Sequence, residues 1–214
     1  MKIKNIIFDL GAVLLNLDML RTEAAFAALI GDKKLHQSIQ RQLFEQNLFS
    51  KFETNEIREA EFIETLKSVT PHPVNEKQIR TAWSAMLLDF PAQRIEMLKN
   101  LKSEGYKIFL LSNINSIHLE DVYANFFEQH GDINFDQLFD KPYYSHLIGR
   151  RKPDTDTYRF VLKDAGIEAV HTLFIDDNAD NISGAKAVGL HTIHHEANGD
   201  IEKVVRDYLK SQSF

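Results

Sequence analysis

The 214-residue chain contains no cysteine. Disulfides and thiolate metal sites are thereby excluded. It also lacks a surplus of basic residues. Lys and Arg number 25 against 31 Asp and Glu, for a formal net charge of -6. A phosphate backbone needs a basic face, so nucleic acid is excluded as the main partner. No uncharged apolar run reaches the ~18–20 residues that span a bilayer. The opening "MKIKNIIFDLGAVLLNLD" sets two lysines before an apolar run, but Asp9 interrupts the run and no small-residue cleavage site follows. The expectation is a cytoplasmic protein with no membrane partner. Internal repeats and low-complexity tracts are absent as well. What remains is a chain 43% hydrophobic, enough for a sizeable core in one domain or in a domain with a smaller insertion. Oligomeric state is left open, with a monomer as the default.

Apolar patterning divides the chain. "IKNIIF" at residues 3–8 reads as a buried strand. From Asp18 to about Asp89 the period is helical. "DMLRTEAAFAALIG" carries a stripe of Leu20, Ala24, Ala27 and Ala28, with Gly31 as its stop. "KLHQSIQRQLFEQNLF" aligns Leu35, Ile39, Leu43 and Phe44 as a second helix. A third is expected to start at Thr54 or Asn55 and to bury Ile57, Ala60, Ile63 and Leu66. "TPHPV" breaks the chain before a fourth, "NEKQIRTAWSAMLL". After Pro91 strands and helices alternate. The strands are "KIFLLSN", "LFDKPYYS", "HTLFIDD" and "HTIHH", and a final helix follows. Such alternation predicts an α/β fold with a doubly wound, Rossmann-like parallel sheet. Residues 1–16 and 91–214 would form this core, and 17–90 an inserted helical subdomain.

In open parallel sheets, ligands bind at the carboxyl ends of the strands. Asp9 stands there after the first strand, Ser112 and Asn113 after the second, and Asp176 and Asp177 after "TLFI". Lys152, in "GRRKPD", follows the "YYS" strand. Each alone reads as a cap or a turn; together, in order, they read as a site. Adjacent carboxylates repel unless a cation or a raised pKa relieves them. Asp9 with Asp177, assisted by Asp176, makes a hard-oxygen site suited to Mg²⁺. Ser112 and neighbouring N–H groups can hold phosphate oxygens, and Lys152 supplies positive charge. A carboxylate in that position can attack phosphorus.

These motifs resemble the haloacid dehalogenase superfamily. "IIFDLGAVL" is similar to its first motif, "IFLLSN" to its second, Lys152 to its third and "FIDDNADNISGAKAVGL" to its fourth. The helical segment sits where the family inserts a C1-type cap. Within the superfamily, the chain is most similar to bacterial phosphatases of sugar phosphates such as glucose 1-phosphate. The resemblance implies a Mg²⁺-dependent phosphatase of a small phosphorylated metabolite, with a sugar phosphate as the expected substrate. It makes Asp9 the nucleophile and a metal ligand, and lets the Gly11 carbonyl, Asp176 and Asp177 complete the metal site. It assigns the phosphate to Ser112, Asn113 and Lys152.

Gly11 departs from the pattern. Most family phosphatases carry an aspartate there, which serves as general acid and base. Losing such help typically costs ~10²–10⁴ in rate. Asn16, Asp18 and His72 are polar candidates for a substitute. His191, His194 and His195 read as structural or surface histidines, because no acidic or thiol partner stands near them in sequence. Trp83 is expected to pack rather than to line a site. Arg150 and Arg151 either add charge near the phosphate or are solvated. Two other readings remain open: a dehalogenase using the same aspartate on carbon, and a catalytically weak binding protein on this fold.

Overall fold

The computed structural model describes residues 2–211; Met1 and 212–214 of the expected core lie outside the described residues. Strand β1 (Asn5–Phe8) leads into five helices: α1 (Met19–Ile30), α2 (Lys33–Glu45), α3 (Leu48–Glu53), α4 (Glu59–Val69) and α5 (Glu76–Ser84). Next come α6 (Ala92–Ser103), β2 (Lys107–Ser112), α7 (Ser116–His130), β3 (Lys141–Tyr144) and the one-turn α8 (Ser145–Ile148). Helix α9 (Thr155–Ala165), β4 (Thr172–Asp176), α10 (Ala179–Ala187), β5 (His191–His194) and α11 (Ile201–Ser211) complete the order.

The five strands form one sheet in the order β3-β2-β1-β4-β5, every pair parallel. Their alternation sorts side chains onto two faces. Ile6, Phe8, Ile108, Leu110, Leu173 and Ile175 meet α6, α7 and α11 on one face. Ile7, Phe109, Leu111 and Phe174 meet α9 and α10 on the other. Both faces are covered, which explains why the strands read as continuous apolar runs. The sheet is the doubly wound α/β architecture that the alternation of elements predicts. Strand β1 lies at its centre, and the winding reverses between β1 and β4. That switch point is where such sheets bind ligands.

Helices α1–α5 share their own apolar cluster, including Ile30, Leu43, Phe52, Phe62 and Ile79, joined by Ile117 of α7. The two chain segments that enter and leave this bundle run side by side. Asn16 N donates to Asp89 O at 2.9 Å, Leu88 N donates to Asn16 O at 3.0 Å, and Leu17 pairs antiparallel with Leu87.

Several details differ from the sequence-based expectation, among them that Leu35, Phe44 and Ala60, expected on apolar faces, are exposed. The second expected helix is two, α2 and α3, broken where Asn47 takes φ 56°. Helix α4 starts at Glu59, not at Thr54 or Asn55. The Thr54 hydroxyl instead donates to Ser50 O at 3.0 Å, and Asn55 sits at φ 60°. In α1 the period is right and the phase is wrong. Leu20 is exposed, while Thr22 and Ile30 are buried. The reason is the Thr22 hydroxyl, which donates to Trp83 O at 3.0 Å and accepts from Met86 N at 3.1 Å, fixing α1 to the α5 region.

Candidate active site

The carboxyl ends of β1, β2 and β4 bring Asp9, Ser112, Asp176 and Asp177 to one edge, and the loop after α8 brings Lys152. Lys152 is only 1% exposed, yet its ammonium donates to Asp9 Oδ1 and to Asp176 Oδ2, both at 2.7 Å. Burial opposes its charge, but Asp9 and Asp176 outweigh burial and raise its pKa. Asn113 holds the same residue by its backbone, accepting from Lys152 N and donating to Lys152 O at 2.9 Å each. The Asn113 side chain thus positions the lysine. Ser112, buried at the end of β2, lines the cavity over Asp9.

The two adjacent aspartates play different parts. Asp176 is fully buried. Its Oδ2 accepts from Lys152 and from Asn181 Nδ2, and its Oδ1 accepts from Asn181 Nδ2 and Asn178 N, at 2.7 to 3.1 Å. Three donors thus crowd its two oxygens, the Asn181 amide spanning both. Asp177 is half-buried, and its carboxylate meets no donor side chain among the described residues. Its backbone carbonyl accepts from His194 Nε2 at 2.9 Å, if that nitrogen carries the proton.

Asp9, Asp176 and Asp177 offer oxygens that all lie within 4.8 Å of one another. Three carboxylates and one ammonium sum to a formal -2 (1 - 3) in a largely buried place. The surplus is visible in the carboxyl groups. Burial lifts Asp9 to about 7, Lys152 pulling it down and Asp176 pushing it up. Burial, then Asp176, raises Asp177 as well. A divalent cation would neutralise that charge, and oxygen ligands suit Mg²⁺. The residues fit such an ion, with Asp9 and Asp177 as the carboxylates that the fewest donors hold.

At Gly11 the backbone is not in the left-handed region; Ala12 beside it is, at φ 58°. A Cβ on Gly11 would come 2.7 Å from Leu17 Cδ1. A leucine methyl therefore fills the space where a side chain at this position would begin. None of Asn16, Asp18 and His72 lines the cavity. Asn16 Nδ2 donates to Asp89 Oδ1 at 3.1 Å, and Asp18 caps α1.

The cavity has a volume of about 740 Å³ and runs from Asp9 and Lys152 up among α1–α5. Trp83 both packs and lines it, stacking on Phe49 at 5.4 Å and on His118 at 4.9 Å. Arg151 is not free. It pairs with Glu53 of α3 at 3.0 Å, joining the lysine loop to the bundle. Arg150 lies over the Phe160 ring. His191 meets Val170 O and the Tyr208 hydroxyl, and the His195 ring is buried, so neither stands with His194 at a metal.

Several contributors went unread in sequence. Asn178 carries a legible trace, since it caps α10; Asn181, one turn on, already stands out within the fourth motif. Asn198 and Leu17 carry none. The Asn198 side chain accepts from Leu17 N at 3.0 Å and donates to Leu17 O at 3.1 Å across 181 residues.

A family model for haloacid dehalogenase-like hydrolases matches residues 3–189. D-ribitol-5-phosphate phosphatase of Bacteroides thetaiotaomicron is 26% identical over 215 residues, 98% of this chain and 100% of that protein. Sesquiterpene phosphatase astK of Aspergillus oryzae is 34% identical over 104 residues, 48% of this chain and 49% of that protein. The crystal structure of a HAD family enzyme of Bacteroides thetaiotaomicron, in complex with magnesium and inorganic phosphate, matches with a TM-score of 0.85 at 33% identity, over 94% of this chain and 98% of that one. On the family match and the similarity along nearly its whole length, this chain belongs to the haloacid dehalogenase-like hydrolases.

Proposed function

We propose that the protein is a Mg²⁺-dependent phosphatase acting on a small phosphate monoester through an aspartyl-phosphate on Asp9. One observation carries the reading: a buried trio of carboxylates leaves a formal -2 around a single lysine, beside a large cavity. A dehalogenase working without a metal has no use for that surplus. The solved relative that holds magnesium and phosphate supports the same reading.

Asp9 and Asp177 would hold the ion, with the Gly11 carbonyl. The bound ion would neutralise phosphate charge and keep Asp9 ionised at neutral pH. Lys152 grips Asp9 Oδ1, which leaves Oδ2 to attack phosphorus. The bond between phosphorus and the alcohol oxygen breaks, and the alkoxide takes up a proton. Water then attacks phosphorus, releasing inorganic phosphate and the free Asp9 carboxylate. Lys152 and Ser112 bind the phosphoryl oxygens; Asp176 and the Asn113 side chain fix the lysine for that task. Helices α1–α5, with residues 17–90 as the boundary, form a cap that encloses the alcohol part. Kinship leaves that part open, since the two curated relatives are named for ribitol 5-phosphate and for sesquiterpenes.

The test is phosphate release from a panel of monoesters, with Mg²⁺ and with excess chelator, by wild type and Asp9→Asn. Release that needs Mg²⁺ and vanishes in Asp9→Asn is expected. Equal release in chelator, or an Asp9→Asn enzyme with most of its activity, refutes the reading.

A further inference from the structure

We propose that the alcohol part of the substrate is a hydrocarbon: the ester is an alkyl or branched-alkenyl monophosphate rather than a polyol phosphate. The proposal rests on the phosphatase reading and deepens it. The cavity is polar and charged only at the strand edge, where Asp9, Lys152 and Asp177 take the phosphate end. Above that edge its wall is apolar, with Leu17, Phe26, Ile39, Leu43, Phe49 and Trp83 facing the space.

A polyol would need hydrogen-bond partners there, because stripping a hydroxyl of water without replacement is costly. Most of the polar side chains within the wall are already engaged; half-buried His36 and Glu53 Oε1 are the exceptions. The Thr22 hydroxyl serves Trp83 O and Met86 N. Both ring nitrogens of His118 are occupied, by Trp83 O and the Asn115 side chain. Glu53 Oε2 is taken by Arg151, the Asn181 amide nitrogen by Asp176, and both ends of the Asn198 amide by the Leu17 backbone. Glu23, Gln40 and Asn47 also line the cavity, but they are solvent-exposed. The Leu17 methyl beside Gly11 extends the apolar wall down to the loop that follows Asp9. A cavity of about 740 Å³ is in the range of sites that bury a whole organic ligand. An occupant with one anionic end and a hydrocarbon body matches both ends of it.

The experiment measures kcat/KM with Mg²⁺ for primary esters of matched leaving group: n-butyl, n-pentyl, n-hexyl and n-octyl phosphate against ribitol 5-phosphate. Each added methylene that enters the cavity should raise kcat/KM ~4-fold, or ~10²-fold from butyl to octyl. Pentyl phosphate should exceed ribitol 5-phosphate, the five-carbon comparison. A series of n-alkylphosphonates, which cannot be hydrolysed, should inhibit p-nitrophenyl phosphate turnover with Ki falling along the same chain lengths. A flat chain-length series, or preference for ribitol 5-phosphate, overturns the hydrocarbon proposal while leaving the phosphatase reading intact. No release from any ester, p-nitrophenyl phosphate included, removes both.

Discussion

Gly11→Asp tests whether a missing carboxylate limits this enzyme. The backbone at Gly11 permits an aspartate, since its φ lies outside the left-handed region. The obstacle is a side chain. A new Cβ would lie 2.7 Å from Leu17 Cδ1, 0.7 Å inside the 3.4 Å at which ordinary contact begins (3.4 - 2.7). Leu17 cannot retreat as a whole. Asn198 holds its N–H and its carbonyl, and the residue is paired with Leu87. Relief must come from turning the leucine side chain, at ~0.5–1.5 kcal/mol for an off-rotamer angle. In a chain of this size that lowers Tm by roughly 1–6 °C. Against this stands the gain from a general acid, ~10²–10⁴ in rate where the leaving oxygen needs a proton. Butyl phosphate needs one; p-nitrophenyl phosphate does not. Gly11→Asp should therefore raise the butyl-to-aryl ratio of kcat/KM by at least ~10-fold. Gly11→Asp combined with Leu17→Ala, which clears the methyl, should raise it further. Strain alone would lower both substrates together. A ratio unchanged across wild type, single and double variants would mean that the proton already has another source, and the argument from Gly11 would fall.

Asp177→Asn should raise the Mg²⁺ concentration for half-maximal activity at least ~10-fold, whereas Asp176→Asn should lower kcat and change that concentration far less, because Asp176 already serves Lys152, Asn178 and Asn181. The same Mg²⁺ dependence in both variants would show that the two acids share one task. Gly184→Ala would set a Cβ 2.2 Å from Pro153 O, next to Lys152; the displaced loop should cost ~10²-fold in kcat/KM. Activity within twofold of wild type, in a folded variant, would show that the loop yields freely. Burial lowers His118 to about 4, the bond to Trp83 O opposing it. Between that value and its unfolded pKa near ~6.5, the unfolded chain binds the proton first. Stability from this group is complete above pH ~6.5 and declines as pH falls, by up to about 3 kcal/mol near pH 4. Urea unfolding from pH 7 to 5 should fall less steeply for His118→Gln, and parallel curves would refute the assignment.

Much of this molecule is legible along the chain. Strands buried on both faces must be apolar throughout, so β1, β2 and β4 stand out as short apolar runs. Polar residues directly after such runs, Asp9, Ser112 and Asp177, must lie at the carboxyl edge of a parallel sheet. Those facts follow from local pattern and parallel topology. The phase of α1 does not, because Thr22 faces inward for hydrogen bonds made more than sixty residues away. Nor does the division of labour between Asp176 and Asp177. The two are alike in sequence, and only the packing of Lys152 and Asn181 around Asp176 crowds its oxygens with donors. Leu17 is the clearest case. Read in sequence, Gly11 is a carboxylate lost; folded, its place is held by a leucine that Asn198 pins from the far end of the chain. Apolar order along the chain determined the sheet and its reactive edge. Contacts between residues distant in sequence, which no local period records, decided what surrounds that edge.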